Sequence, residues 1–71
     1  MKLHYYPETD SLYIELNDRR SAVSTEIADG LVIDFDSHGN VVGLDIDKAA
    51  QKLDLTYLEA VELPVRFFRS T

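Results

Sequence analysis

Three aspartates and a histidine are spaced over residues 34–45 much like the ligands of a calcium loop. In the stretch DFDSHGNVVGLD, Asp34, Asp36, His38 and Asp45 take the first, third, fifth and twelfth places, and Gly39 falls at the turn. Carboxylate oxygens suit hard divalent cations, so these residues could form a divalent-metal-binding module. The histidine, the short final aspartate and the β-branched flanks fit that loop poorly. The pattern favours a β-hairpin without a metal, and Asp34, Asp36 and Asp45 are the candidate ligands of the alternative.

A second group of residues could do acid–base chemistry. If neighbouring strands pair in chain order, His4, Tyr13 and Glu26 form a row on one face of a sheet. A histidine between an aromatic ring and a carboxylate can act as a general base. A flat sheet face, however, lacks the burial that perturbs pKa values at active sites. We therefore expect no catalytic residues, no cofactor and no enzyme, and a small hydrolase using His4 and Glu26 is the weakest alternative.

Size and cysteine content bound the fold. The chain has 71 residues, 45% of them hydrophobic, which predicts a single small domain over residues 1–71. A chain this short buries only about 60% of its unfolded surface, and its stability is marginal without further support. The sequence has no cysteine, so disulfides and thiolate metal sites cannot supply that support. Oligomerisation remains as the expected supplement.

The charge balance restricts the partners. Thirteen acidic and seven basic residues give a net charge of −6, and the basic stripe of a nucleic-acid-binding protein is missing. An acidic surface favours a basic protein partner. The start of the sequence, MKLHYYPETD, does not resemble a signal peptide, and no window approaches the ~20 apolar residues of a membrane span. We expect a cytoplasmic protein that binds neither membrane nor nucleic acid.

Alternating hydrophobicity predicts five short strands. The runs LHYY, SLYIEL, AVSTEIA, LVIDFD and VVGLDID are separated by the turn signals PETD, NDRRS, ADG and SHGN. Short connections of this kind predict an antiparallel meander of five or six strands with one short helix, a mainly β (α+β) fold.

The pairing of the strands follows from keeping apolar residues on one face. A two-residue turn at His38-Gly39 pairs Phe35 with Val42, Ile33 with Leu44 and Leu31 with Ile46. A three-residue loop, Ala28–Gly30, pairs Ile27 with Leu31, Thr25 with Ile33 and Val23 with Phe35, with Gly30 left-handed. Pairing the second strand with the third matches Leu16 with Val23, Ile14 with Thr25 and Leu12 with Ile27. The first hairpin pairs Tyr5 with Leu12, Leu3 with Ile14, His4 with Tyr13 and Lys2 with Glu15.

The pattern changes after the fifth strand. Asp47 is the expected cap of a short helix over KAAQKL, with Ala49, Ala50 and Leu53 against the sheet. Residues 55–63 fit either a helix or a strand. In the tail, Arg66, Phe67 and Phe68 are candidate interface residues, since two arginines flank two phenylalanines.

This arrangement leaves an apolar face that one short helix cannot cover. Two helical turns reach only ~10 Å, less than the width of five strands spaced roughly 4.8 Å apart. Large exposed apolar patches favour association. The sequence therefore predicts a homo-oligomer, most simply a homodimer.

The motifs YYPETDSLYIEL, IADGLVIDFDSHGNVVGLDI and LDLTYLEAVELPV resemble the small bacterial and archaeal domain of unknown function 2283. The positions that carry the resemblance include Tyr6, Asp10, the pair Asp29-Gly30 and the run Asp34–Asp36. Pro7, Phe35 and Asp45 depart from the usual residues. The resemblance implies no established activity, cofactor or catalytic residue. Relatives encoded beside small ribonuclease-like toxins imply an antitoxin-like role by association.

Overall fold

A computed structural model describes residues 1–64, so the predicted interface residues Arg66, Phe67 and Phe68 lie outside the described part of the chain. Five strands and one short helix follow in order along the sequence. They are β1 (Lys2–Tyr6), β2 (Ser11–Glu15), β3 (Val23–Ala28), β4 (Leu31–Phe35), β5 (Val41–Asp47) and α1 (Ala49–Lys52). All strand pairs are antiparallel and form one open sheet. The predicted mainly β fold with a helix after the fifth strand is confirmed.

The order of strands in the sheet differs from the predicted meander. The order is β1-β2-β5-β4-β3, so β2 pairs with β5, and the predicted pairing of β2 with β3 is wrong. Leu12 lies opposite Ile46 and Ile14 opposite Leu44. Both arrangements keep apolar residues on one face, but the observed one replaces Thr25 by Leu44 as the neighbour of Ile14. Thr25 lies instead on the edge strand β3, where a polar hydroxyl is easily solvated.

The connection from β2 to β3 crosses one end of the sheet. It bridges two intervening strands, a distance of about 14 Å at the usual strand spacing. The amide of Leu16 donates to the carbonyl of Val42 at 2.9 Å, and the amide of Ala22 donates to the carbonyl of Phe35 at 2.7 Å. The side-chain amide of Asn17 donates to the carbonyl of Val41 at 3.0 Å. Backbone groups at the β4–β5 end thus hold the loop in place.

Most of the predicted pairings within hairpins are confirmed. The β1–β2 register pairs Leu3 with Ile14 and Tyr5 with Leu12, as predicted. In β4–β5, Ile33 lies opposite Leu44 and Leu31 opposite Ile46, also as predicted, but Phe35 pairs with Val41. The amide of Asp36 donates to the carbonyl of Asn40 at 2.8 Å, which gives a three-residue turn, Ser37–Gly39, in place of two residues. A β-bulge after Asp34 restores the predicted register beyond it.

The β3–β4 turn is one residue shorter than predicted, and a bulge again compensates for the difference. Ala28 pairs with Leu31 around a two-residue turn, Asp29-Gly30, and the pairing of Ile27 with Leu31 is wrong. A bulge between Glu26 and Ala28 absorbs the extra residue, so the predicted pairings of Val23 and Thr25 hold. Gly30 has the expected left-handed backbone, with φ of 73°.

Alternation along these registers divides the sheet into two faces. We call "apolar face" the side that carries Leu3, Tyr5, Leu12, Ile14, Val23, Thr25, Leu31, Ile33, Phe35, Val42, Leu44 and Ile46. We call "polar face" the side that carries Lys2, His4, Tyr6, Ser11, Tyr13, Glu15, Ser24, Glu26, Val32, Asp34, Gly43, Asp45 and Asp47. The predicted sidedness is therefore confirmed for these residues, whereas Ile27, predicted on the apolar face, lies unpaired at the bulge between Glu26 and Ala28.

A residue from the first hairpin, Asp10, caps the helix. Its backbone carbonyl accepts from the amide of Ala49 and its carboxylate from the amide of Ala50, both at 2.9 Å. The same carboxylate oxygen accepts the hydroxyl of Tyr5 at 2.8 Å. Within residues 1–64, Asp47 accepts only the amide of Lys48, which precedes the helix, so the predicted capping role of Asp47 is wrong. The fold brings the cap from 40 residues away along the chain.

The helix and the segment after it cover only part of the apolar face. Between them and the sheet lies a groove of about 690 Å³, whose floor is Leu3, Tyr5, Leu12 and Ile14. Its wall comes from α1 and residues 53–58. Residues 55–63 form neither of the predicted alternatives, a helix or a strand. Among residues 1–64, Leu12, Val42 and Ala49 are the buried hydrophobic side chains, so this part of the chain has a small core.

Within residues 1–64 there is no helix with the length and hydrophobicity needed to cross a membrane.

Candidate functional site

The centre of the polar face is a hydrogen-bonded group of three side chains. The Tyr13 hydroxyl donates to one carboxylate oxygen of Asp34 at 2.8 Å, across the intervening strand β5. The Ser24 hydroxyl donates to the other oxygen at 2.6 Å. The group therefore links β2, β4 and β3, and we call it the "tyrosine–aspartate network".

Gly43 makes room for this network. It lies on β5 between Glu15 and Asp34, and the Tyr13 ring crosses above it. A Cβ placed on Gly43 would overlap the Tyr13 hydroxyl and lie 2.6 Å from the ring carbon that bears it. The missing side chain is thus a structural requirement of the contact between Tyr13 and Asp34. A glycine inside a strand signals a close approach of this kind, and this signal was available in the sequence.

The network raises the pKa of the Tyr13 phenol to about 12 from 10.0. The main cause is the hydrogen bond to Asp34, because the carboxylate holds the phenolic proton; partial burial and the negative charges nearby add to it. Tyr13 is therefore a neutral hydrogen-bond donor throughout the physiological range. A phenol that keeps its proton can donate a structural hydrogen bond but cannot act as a general base.

The order of strands separates the residues of the proposed acid–base row. Across the sheet the row runs His4, Tyr13, Asp45, Val32 and Glu26, so the predicted adjacency of Tyr13 and Glu26 is wrong. His4 and Glu26 lie on opposite edge strands, roughly 19 Å apart at the usual strand spacing. His4 instead stacks on Tyr6, with ring centroids 4.3 Å apart and planes inclined by 20°. A hydrolytic pair of His4 and Glu26 is excluded by this distance.

The three candidate metal ligands have separate roles. Asp36 is 6% exposed and accepts hydrogen bonds at its own turn, from the amides of His38 and Asn40 at 2.9 Å and from the Asn40 side chain at 3.2 Å. The Asn40 backbone amide is the main cause that lowers the pKa of the Asp36 carboxyl. Asp34 belongs to the tyrosine–aspartate network, and Asp45 lies exposed in the next row.

These roles explain the DFDSHG motif without a metal. Its first aspartate binds across the sheet, and its second closes the turn as an Asx-type acceptor. In the part of the chain that the structure describes, no group of three or more His, Cys, Asp or Glu side chains is arranged to hold a metal ion.

Exposed carboxylates gather on the polar face beside the network. Glu26, Asp45 and Asp47 are exposed and surround a shallow cleft of about 240 Å³ with Ser11, Gly30 and Val32. At this end of the sheet, the Lys52 ammonium donates to the carbonyl of Asp29 at 3.1 Å. The sequence showed each of these carboxylates, but only the placement of β5 next to β2 brings Asp45 and Asp47 to the centre of the sheet.

A comparison with protein-family models matches residues 2–49 to a family described as Protein of unknown function (DUF2283). The chain belongs to this DUF2283 family. The matched range contains all five strands and the start of α1, so the match covers the whole sheet. The searches of curated proteins and of solved structures found no match. The resemblance deduced from the sequence motifs is confirmed.

Proposed function

We propose that this DUF2283 protein is a non-enzymatic protein–protein interaction module whose polar face binds a small basic protein. The observation that carries the proposal is the charge of that face. Its strands hold five carboxylates, from Glu15, Glu26, Asp34, Asp45 and Asp47, and one lysine, Lys2. A surface with one sign of charge attracts and orients a partner of the opposite sign.

The geometry supports recognition of extended cationic side chains. The cleft between Glu26, Asp45 and Asp47 is open to solvent, and its size suits a guanidinium or ammonium group. Asp45 accepts no hydrogen bond from another side chain of residues 1–64, so its oxygens can accept bonds from a partner. The tyrosine–aspartate network lies beside the cleft and joins β2, β3 and β4 on the same face. Binding and masking a basic protein is also the action of an antitoxin, the role that the family resemblance implies.

The test uses the product of the gene next to the one that encodes this chain. We expect a small basic protein that binds with a Kd that rises steeply with salt, as screened charges require. The double variant Glu26→Gln/Asp45→Asn should weaken binding at least tenfold, which corresponds to about 1.4 kcal/mol. Isothermal titration calorimetry at two salt concentrations measures both effects.

A matched control is Glu8→Gln/Glu59→Gln, which removes the same two charges from exposed positions off the polar face. It should bind nearly as well as the unaltered chain. Equal losses from both double variants would show that net charge alone matters, and the assignment of the polar face would be wrong. A neighbouring product that is neither small nor basic, or that does not bind, would contradict the proposed function.

A further inference from the structure

The groove on the apolar face is lined by side chains that residues 1–64 leave exposed. On its floor, Leu3 is 46% exposed and Tyr5 40% exposed. On its wall, Leu55 is 40%, Tyr57 66% and Leu58 74% exposed. Most of the wall therefore stands away from the sheet, and the space between wall and floor stays open.

The exposed apolar area approaches what each partner buries in a stable dimer. Taken at roughly 180 Å² for a large apolar side chain, the exposed fractions of Val23 and of the groove residues amount to about 650 Å². The groove residues in this sum are Leu3, Tyr5, Leu53, Leu55, Tyr57 and Leu58. The largest apolar patch on a typical monomer is about 300–600 Å², and each partner in a specific interface buries about 800 Å². Half-buried residues in the middle of the face, such as Ile33 and Leu44, add to the available area.

The distribution of charge selects the kind of partner for this face. Asp54 is the charged residue in the groove lining, and both its hydrogen bonds come from Thr56, two residues away. A second copy of this chain, with its net charge of −6, is repelled by the polar face and approaches the apolar face without that penalty. A basic protein would find a single carboxylate in the lining there, that of Asp54.

We infer that the apolar face is the interface of a two-fold symmetric homodimer, in which the groove of each copy receives the wall residues of the other. Self-complementary surfaces of this kind are the rule for symmetric dimers. The two sheets then pack face to face across an apolar layer, as in a β-sandwich with sheets about 10 Å apart. The polar faces point outward on opposite sides, so dimerisation and binding of a basic partner are independent of each other.

The experiment measures the mass of the full chain by sedimentation equilibrium at micromolar concentration. The expected result is twice the 8.1 kDa of one chain. Leu3→Lys places a charge in the groove floor and should weaken the dimer at least a hundredfold. The control is Tyr6→Lys on the same strand, which is 44% exposed against 46% for Leu3 but faces the other side of the sheet, and it should remain a dimer.

A second pair of variants avoids the sheet altogether. Leu58→Lys lies on the groove wall, where loss of folding is not a concern because the side chain is 74% exposed, and it should also give monomers. Val61→Lys, at 69% exposure outside the groove lining, should remain dimeric. A monomeric unaltered chain at micromolar concentration overturns the inference. So does a dimer that withstands both Leu3→Lys and Leu58→Lys, including one that dissociates only with Phe67→Lys in the tail.

Discussion

The two faces of the sheet differ in how far residues 1–64 provide hydrogen-bond partners or cover for their side chains. On the polar face, the hydroxyls of the tyrosine–aspartate network donate to its own carboxylate, and the missing side chain of Gly43 leaves room for the Tyr13 ring. On the apolar face, α1 and the segment after it leave a groove with exposed leucine and tyrosine side chains. Hydrogen bonds across one sheet need only two or three residues, whereas covering a five-stranded face needs a second layer. Within residues 1–64, the polar face thus has a hydrogen-bonded centre, whereas the apolar face keeps exposed leucine and tyrosine side chains.

Filling the space above Gly43 tests the polar face most severely. We expect Gly43→Ala to lower the free energy of unfolding by about 3 kcal/mol, because the new Cβ displaces the Tyr13 ring and breaks its bond to Asp34. Urea unfolding followed by circular dichroism measures the loss. In a Tyr13→Ala background the same substitution should cost less than about 1 kcal/mol, since the clash is gone. A full cost in both backgrounds would show that the ring does not set the requirement for glycine.

Removing the cap of α1 tests how the helix is held against the apolar face. Asp10→Ala should lower the free energy of unfolding by about 2 kcal/mol, because Ala50 and Tyr5 lose their acceptor and Asp10 has a left-handed backbone, with φ of 53°. Asp10→Asn keeps an acceptor and tolerates that backbone, so it should remain within about 0.5 kcal/mol of the unaltered chain. Thermal unfolding of both variants compares them, and equal losses would contradict the capping role.

Deleting the Tyr13 hydroxyl should have the smallest effect. Tyr13→Phe removes one hydrogen bond to a carboxylate that keeps Ser24, and we expect a loss of roughly 1.5 kcal/mol near neutral pH. Because folding raises the pKa of this phenol to about 12, the folded chain holds its proton where the unfolded chain has lost it. The contribution is thus complete below pH 10 and disappears as the pH rises toward 12.

The pH dependence of the free energy of unfolding in alkali shows whether the Tyr13 hydroxyl, and not only the ring, stabilises the fold. Urea unfolding at several values between pH 9 and 12 should show a smaller decrease for Tyr13→Phe than for the unaltered chain. The hydrogen bond to Asp10 also raises the pKa of Tyr5, so part of the decrease should remain in the variant. Identical pH profiles would indicate that the bond to Asp34 does not form in solution.

The residues that sequence reasoning placed correctly share one property: their contacts lie within a hairpin. The pairing of Leu3 with Ile14 and of Ile33 with Leu44 follows from period two and a nearby turn. Turn lengths were off by one residue in both later hairpins, and bulges at Glu26 and Asp34 restored the register. Register is preserved because a one-residue slip would expose every apolar side chain of a strand.

The contacts that sequence reasoning missed join distant parts of the chain. Asp10 caps a helix 40 residues later, and Tyr13 reaches Asp34 across a strand that the predicted meander had placed elsewhere. The acid–base row of His4 and Glu26 failed for the same reason, because its geometry depended on which strand follows β2 in the sheet.

By itself, the amino-acid sequence determined the five strands, the two faces and the acidic character of one of them, since alternation and turn residues act over a few positions. Only the tertiary structure decided that β5 lies beside β2. Both candidate neighbours of β2 present apolar side chains with the same parity, so period two cannot choose between them. The choice comes from side-chain packing over the whole sheet, including the Tyr13 ring above Gly43, and that depends on contacts between residues far apart in the chain.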